Sequence, residues 1–240
     1  VSMVASGLNV SFALGVNRKL YSWGSGLSWS FNTTRLGLLG DGTWASRNRP
    51  VPIFNDVAHV CVGQSHVAFV DTQGTVYTFG INTDVQVLSC VNGTTSVPLQ
   101  RASCPCPVAN CPAKLGALGN STFFWSDKPI RVTPPADNYG GGTVVELACG
   151  PQHTIARTDT GRLYGWGLNT KNQLGDSSGA AYGSYVQAPK LLQVTNLGEP
   201  LANKRVISVA TGSEFSMALT DDGRVWIWGD NSRGQLGDGT

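Results

Sequence analysis

Charge is scarce in this 240-residue chain. Only 13% of residues are charged, and 17 basic against 15 acidic side chains leave a formal net charge of +2. That balance provides no concentrated basic footprint for phosphate backbones or anionic lipid, so nucleic acid is not an expected partner. Long apolar runs are missing too. Nothing approaches the roughly 20 residues that span a bilayer, so no membrane insertion is expected, and the opening VSMVASGLNV lacks the basic-then-apolar layout of a signal peptide. A start on Val rather than Met points to a processed or partly represented chain. Catalytic patterns are absent as well: there is no GxSxG, HExxH or paired-carboxylate arrangement, and no nucleophile, base and orienter can be assembled. YGGGT at 139–143 has neither a GK[ST] ending nor helix-forming sequence after it, so it reads as a connecting segment. The LGDG and DGT fragments supply one acid per copy, too few for a calcium cage, and read as turns. No catalysis, cofactor or metal site is expected.

What the chain does have is 30 glycines, 12 prolines and 41% apolar residues. This is enough apolar content for a real core, and the turn formers divide it into many short strands, so an all-β fold is expected. A repeat organises it. Gly24 (LYSWG), Gly80 (VYTFG), Gly167 (LYGWG) and Gly229 (VWIWG) each follow another glycine by 17 residues: Gly7, Gly63, Gly150 and Gly212. Between each pair, period-2 apolar alternation flanks a turn carrying Gly74, Gly161 or Gly223, the pattern of an antiparallel hairpin. The first copy has Arg18 at that position beside Asn17, and Asn tolerates positive φ, so a tight reversal is expected there too.

A second signature follows in each copy: GLLGD (37–41), GALGN (116–120), NQLGD (172–176) and GQLGD (234–238). Its distance from the anchor glycine is 16, 39, 8 and 8 residues, so copies one and two hold insertions of 8 and 31 residues. A proline-aliphatic segment recurs after it in PVPI, KPIRV and APKLL; the fourth copy stops short of it. The repeats run over about 3–58, 59–145, 146–207 and 208–240, within a single domain spanning 1–240. Each offers three or four short strands, too few to bury both faces, and radial stacking of such sheets supplies the missing contacts. The aromatic before each anchor glycine (Trp23, Phe79, Trp166, Trp228) is expected to pack between blades.

The pattern VAxGxxHTxALTxxGxVYxWG followed by GQLGxG resembles the repeat of the regulator of chromosome condensation family, most closely over 212–238 and 146–175. The resemblance covers most of the chain apart from the two insertions. It implies a β-propeller, with about four blades present as a partial ring or a fragment of a larger one; family rings commonly have seven. Members of the family include exchange factors for small GTPases, a plant ultraviolet photoreceptor, a secreted β-lactamase inhibitor and modules of large ubiquitin ligases. The photoreceptor run GWRHT is absent, and Trp29, Trp44, Trp125 and Trp226 read as dispersed additions to the repeat. The family histidine falls at His66 and His153, but Val10 and Phe215 occupy the same column, an interchange that a catalytic site would not tolerate. His59 has no evident catalytic partner.

The insertion at 81–114 gathers Cys90, Cys104, Cys106 and Cys111 in a proline-rich segment. Two disulfides are one reading of this even cluster; zinc ligation and free thiols are the others, although CPC followed by four residues and a cysteine does not follow zinc-ligand rhythm well. Cys61 and Cys149 lie in different columns before the bend glycine and read as buried thiols. Sequons at Asn9, Asn32, Asn92 and Asn120 are candidate N-glycosylation sites. Disulfides and glycans together favour an extracellular or cell-surface location, with a cytoplasmic or nuclear one as the alternative. The expected function is a non-catalytic protein-interaction or structural module with a further protein or chain segment over its open blade edge. An exchange factor for a small GTPase and a secreted inhibitor or receptor-like binder are the alternatives.

Overall fold

A computed structural model describes residues 1–25, 37–81, 118–119, 125–175, 185–192, 195–196 and 199–240. They form four antiparallel sheets, the blades of a β-propeller. Blade one is β1 (Met3–Ser6), β2 (Val10–Leu14), β3 (Leu20–Gly24) and β4 (Arg47–Phe54), paired in that order. Blade two is β5 (Val57–Val62), β6 (His66–Asp71), β7 (Val76–Ile81) and β8 (Trp125–Arg131). Blade three is β9 (Val144–Cys149), β10 (His153–Thr158), β11 (Leu163–Leu168) and β12 (Tyr185–Leu191). A short hairpin, β13 (Thr195–Asn196) with β14 (Glu199–Pro200), precedes blade four, which is β15 (Val206–Thr211), β16 (Phe215–Thr220) and β17 (Val225–Gly229). Among the described residues the only helical pieces are 3-10 turns at Asn138–Gly141 and Leu201–Asn203.

Neighbouring blades touch mainly through their first strands, β1 with β5, β5 with β9 and β9 with β15. The first strand of each blade therefore lies nearest the common axis and the fourth lies outermost. An outer edge strand needs only one hydrogen-bonded neighbour, which is why β4 accepts Pro50 and Pro52 and β8 accepts Pro129. In blades two and three successive residues of β6 and β11 are buried, so both faces of the sheet are covered, whereas β2 and β16 bury alternate residues, and the core lies between sheets. One cluster joins Phe12, Leu14 and Leu20 of blade one to Val57, Phe69 and Phe79 of blade two. A second joins Val70 and Val76 to Tyr164 and Trp166, and a third joins Ile155 and Leu174 to Val206 and Trp228. Each fully buried large side chain contributes about 1.5–3 kcal/mol through surface removed from water.

The hairpin turns are also joints between blades. Gly74, Gly161 and Gly223 adopt φ of 81°, 84° and 81°. In the first copy it is Arg18 itself that takes the left-handed conformation, at φ 61°, and not its neighbour Asn17, whose side-chain oxygen accepts the Lys19 N–H at 3.3 Å. The turn geometry is thus set by position in the hairpin, with Asn17 bracing it from outside. The Arg18 carbonyl accepts the N–H of Val57 (2.9 Å) and the Gly161 carbonyl that of Val206 (3.2 Å), so the start of an inner strand is pinned to the previous blade.

Candidate functional site

The residues singled out by the repeat converge on the interfaces between blades. Phe79, Trp166 and Trp228 are buried, each against the xLG loop of the blade before its own. The Trp228 indole N–H donates to the Gln173 carbonyl at 2.9 Å, and the Ser216 hydroxyl donates to the same oxygen at 2.8 Å. A Cβ at Gly40 would lie 2.8 Å from the Phe79 ring, and one at Gly119 would lie 3.0 Å from the Trp166 indole nitrogen, so these loop glycines are needed for close approach. Trp23, in the first blade described, is only half-buried. The anchor glycines Gly24, Gly80, Gly167 and Gly229 have φ between 101° and 118°, and a Cβ there would strike the carbonyls of Asn9, Ser65, Gln152 and Glu214.

The two repeat histidines are fully buried hydrogen-bonding joints. His66 Nε2 lies 2.7 Å from Thr154 Oγ1, and His153 Nε2 lies 3.1 Å from Ser216 Oγ. In both pairs the partner belongs to the next blade and occupies the column one residue after the histidine. Because the Ser216 hydrogen goes to Gln173, His153 donates its Nε2–H to Ser216, which fixes the tautomer. Burial lowers the pKa of His66 to about 4 and that of His153 to about 3, so both are neutral at physiological pH. At the boundary between blades one and two the same two columns hold Val10 and Val67, both members of the apolar cluster there. Each imidazole also folds over the earlier glycine of its repeat: His66 over Gly63 and His153 over Gly150, as the Phe215 ring does over Gly212. A Cβ at Gly7, in the first copy, would instead lie 2.8 Å from Val62 Cγ1, so the early glycine column allows close packing in all four copies.

A polar column on the inner strands escapes a reading of single motifs. His59, Glu146 and Ser208 all stand four residues before the early glycine. Arg157 Nε donates to Glu146 Oε2 at 2.6 Å within blade three. The other oxygen, Oε1, accepts from Ser208 Oγ at 3.2 Å and from the Val209 N–H at 3.4 Å in blade four. On the opposite side, His59 Nδ1 of blade two accepts the Leu147 N–H at 3.4 Å. Burial lowers the His59 pKa, and the charge of Glu146 opposes this more than that of Arg157 adds to it. Aligning the four copies on their early glycines would have revealed this column, because it places the three polar residues in register.

Cys61 and Cys149, expected as separate buried thiols, are joined in a disulfide. Their columns differ, but β5 and β9 pack side by side near the axis, and this brings their Cα atoms to 5.4 Å. Trp226, expected as a dispersed addition, is buried in the column of Tyr21, Tyr77 and Tyr164 and so belongs to the repeat. Asn9 is exposed in the bend before β2, with its carbonyl accepting the Ser25 N–H at 2.7 Å. The candidates Cys90, Cys104, Cys106, Cys111, Asn32, Asn92 and Asn120 lie outside the described residues, as does nearly all of 81–114.

The regulator of chromosome condensation (RCC1) repeat matches residues 144–173 and 206–235, and a second model of the same repeat matches 160–219. The E3 ubiquitin-protein ligase HERC2 of Homo sapiens is 28% identical over 265 residues, covering 99% of this chain and 5% of its own length. The crystal structure of human WBSCR16 superposes with a TM-score of 0.63 at 20% identity, covering 94% of this chain and 46% of that one. Prp20p of Saccharomyces cerevisiae superposes with a TM-score of 0.63 at 18% identity, covering 95% and 44%. The chain thus spans less than half the length of each of these three. Residues 144–235 carry regulator of chromosome condensation repeats, and the described residues fold as consecutive β-propeller blades like those of Prp20p.

Proposed function

We propose that the chain is a non-catalytic protein-interaction or scaffold module that offers loops and blade edges to protein partners. One observation carries this reading: the side chains able to do chemistry in the repeat are committed to blade interfaces. His66 and His153 are buried, neutral and bonded to hydroxyls of the next blade, and Glu146 is held by Arg157, Ser208 and Val209. The deletion of 82–114 tests the insertion as a contact. Quantitative capture of proteins by the intact and the deleted chain should differ; equal capture removes that loop from the binding surface.

The proposed setting is extracellular or at the cell surface. The Cys61–Cys149 bond and the exposed Asn9 in its NVS sequon support it. Intact mass before and after reduction and deglycosylation tests this setting; four free thiols in the insertion and no glycan would remove its support. A second reading, exchange factor for a small GTPase, draws on the fold shared with Prp20p, a protein described by its binding to Gsp1p and histones. Nucleotide release measured on a panel of small GTPases decides between the readings, and no acceleration on any of them is the result expected for the scaffold.

A further inference from the structure

The connection from an outer strand to the inner strand of the next blade is short after β4, residues 55–56, and much longer after β8, residues 132–143. The longer one borders a cavity of about 220 Å³ at the boundary between blades two and three. Gln73 and Thr75 of the β6–β7 turn line it, with Arg131 at the end of β8 and Asn138, Tyr139 and Thr143 of the connection. All its walls belong to blades two and three, each of which has a neighbouring blade on both sides.

Arg131 is the only charged residue in these walls. It is exposed, and its guanidinium has no ion-pair or hydrogen-bond partner among the described residues. The nearby carboxylates are turned to other donors. Asp71 Oδ1 accepts the N–H groups of Gln73 (2.9 Å) and Thr75 (2.8 Å), and Asp159 Oδ1 accepts that of Thr143 (2.9 Å). Asp137 Oδ2 accepts the Tyr164 hydroxyl at 2.7 Å. None of the three lines the cavity.

The connection also carries a tyrosine in an unusual conformation. Asn138, Tyr139, Gly140 and Gly141 have φ of 45°, 58°, 63° and 76°, a left-handed turn that is strained for a side chain as bulky as tyrosine. Packing holds it in place: the Tyr139 ring is 5% exposed, meets Tyr164 edge-on at 5.1 Å and joins the cluster of Val76 and Val132. A phenylalanine ring would pack there as well. The hydroxyl, however, is buried with no hydrogen-bond partner, an unfavourable state that an added acceptor would relieve. Burial holds this phenol above its ordinary pKa, so it is available as a donor.

We propose that the cavity receives a carboxylate, the Asp or Glu side chain of a protein partner, which accepts hydrogen bonds from the Arg131 guanidinium and the Tyr139 hydroxyl. The exposed amides of Gln73 and Asn138 stand at the same cavity and can bond the main chain on either side of that residue, which a free carboxylate does not offer. The source of the carboxylate rests on the protein-interaction reading above; the site itself does not.

The test is an NMR titration of the 240-residue chain with the peptide acetyl-Gly-Gly-Glu-Gly-Gly-amide, its Gln counterpart and acetate. The Glu peptide should shift the Arg131 Nε–H and Gly141 amide signals saturably with a Kd of about 1–10 mM, and the other two probes should bind at least about tenfold more weakly. Arg131→Gln should raise the Kd of the Glu peptide at least about tenfold and Tyr139→Phe about threefold to tenfold. Both variants should keep the melting temperature of the parent, since one loses an unpaired exposed cation and the other an unpaired hydroxyl. No saturable shift up to roughly 100 mM, as a cavity filled by water alone would give, equal binding of the Gln peptide, or unchanged binding in both variants would overturn the site. Acetate binding as tightly as the Glu peptide would overturn its assignment to a partner's side chain. The deletion of 82–114 tests the interaction reading by a separate measurement, so each can fail alone.

Discussion

Trp228 donates its indole N–H to the main-chain carbonyl of Gln173, 2.9 Å away in the preceding blade, and Ser216 donates to the same oxygen from 2.8 Å. Both lone pairs of one buried carbonyl are thereby satisfied across a blade boundary. This contact couples the two signatures of the repeat, the aromatic strand of one copy and the QLG loop of the copy before it.

Changing Trp228 separates the hydrogen bond from the packing. Trp228→Phe keeps most of the ring and removes the donor, and should cost about 1 kcal/mol, whereas Trp228→Ala should cost about 3–5 kcal/mol through the cavity it opens. Urea unfolding followed by circular dichroism measures both. Equal losses for the two variants would mean that the hydrogen bond carries the contact.

Acid should weaken the fold through His66 and His153. Their folded pKa values, about 4 and about 3, lie below the ordinary 6.5, so below pH 6.5 the unfolded chain binds protons that the folded chain refuses. Their contribution is complete above pH 6.5 and is lost as pH falls toward the folded values, at up to roughly 1.4 kcal/mol per pH unit for each imidazole. Melting temperatures between pH 7 and pH 4.5 should fall, and replacing His153 by Phe, the residue of the fourth copy, should flatten the slope.

The Cys61–Cys149 bond closes a long loop, its cysteines being 88 residues apart. Removing it by Cys61→Ala with Cys149→Ala should destabilise the chain by about 2–4 kcal/mol, chiefly by freeing the unfolded state. Melting with and without reductant checks this. Reductant should lower the transition of the parent by more than that of the double variant.

Arg18 holds a left-handed conformation at φ 61° where the other three copies have glycine. Arg18→Gly removes a strained Cβ but adds freedom to the unfolded chain, so it should stabilise by no more than about 1 kcal/mol. Chemical denaturation should show this small gain, whereas Gly74→Arg should reduce stability, since a Cβ there presses on Thr143.

The blade architecture was legible in the sequence because it is written in local geometry. The glycine 17 residues before each anchor glycine, the turn glycine between them and the aromatic beside the second are positions where a Cβ or its absence decides the chain path. What was not legible depends on which copies become neighbours. Cys61 and Cys149 occupy different columns, and only the packing of β5 beside β9 pairs them. The joints of His66 with Thr154 and His153 with Ser216 run from one column to the next column of the following blade, a relation that aligning copies within columns conceals. Trp226 was missed because tryptophan replaces tyrosine in its column while keeping the same buried aromatic role.

The central claim, that the repeat histidines are neutral joints between blades and not reactive groups, is tested most directly by following the three imidazoles by NMR as pH is lowered. The account predicts that His66 and His153 remain neutral to about pH 4, with His153 protonated on Nε2 and its signal sensitive to Ser216→Ala. Titration of either at its ordinary value near 6.5, with no response to loss of the hydroxyl in the next blade, would contradict it.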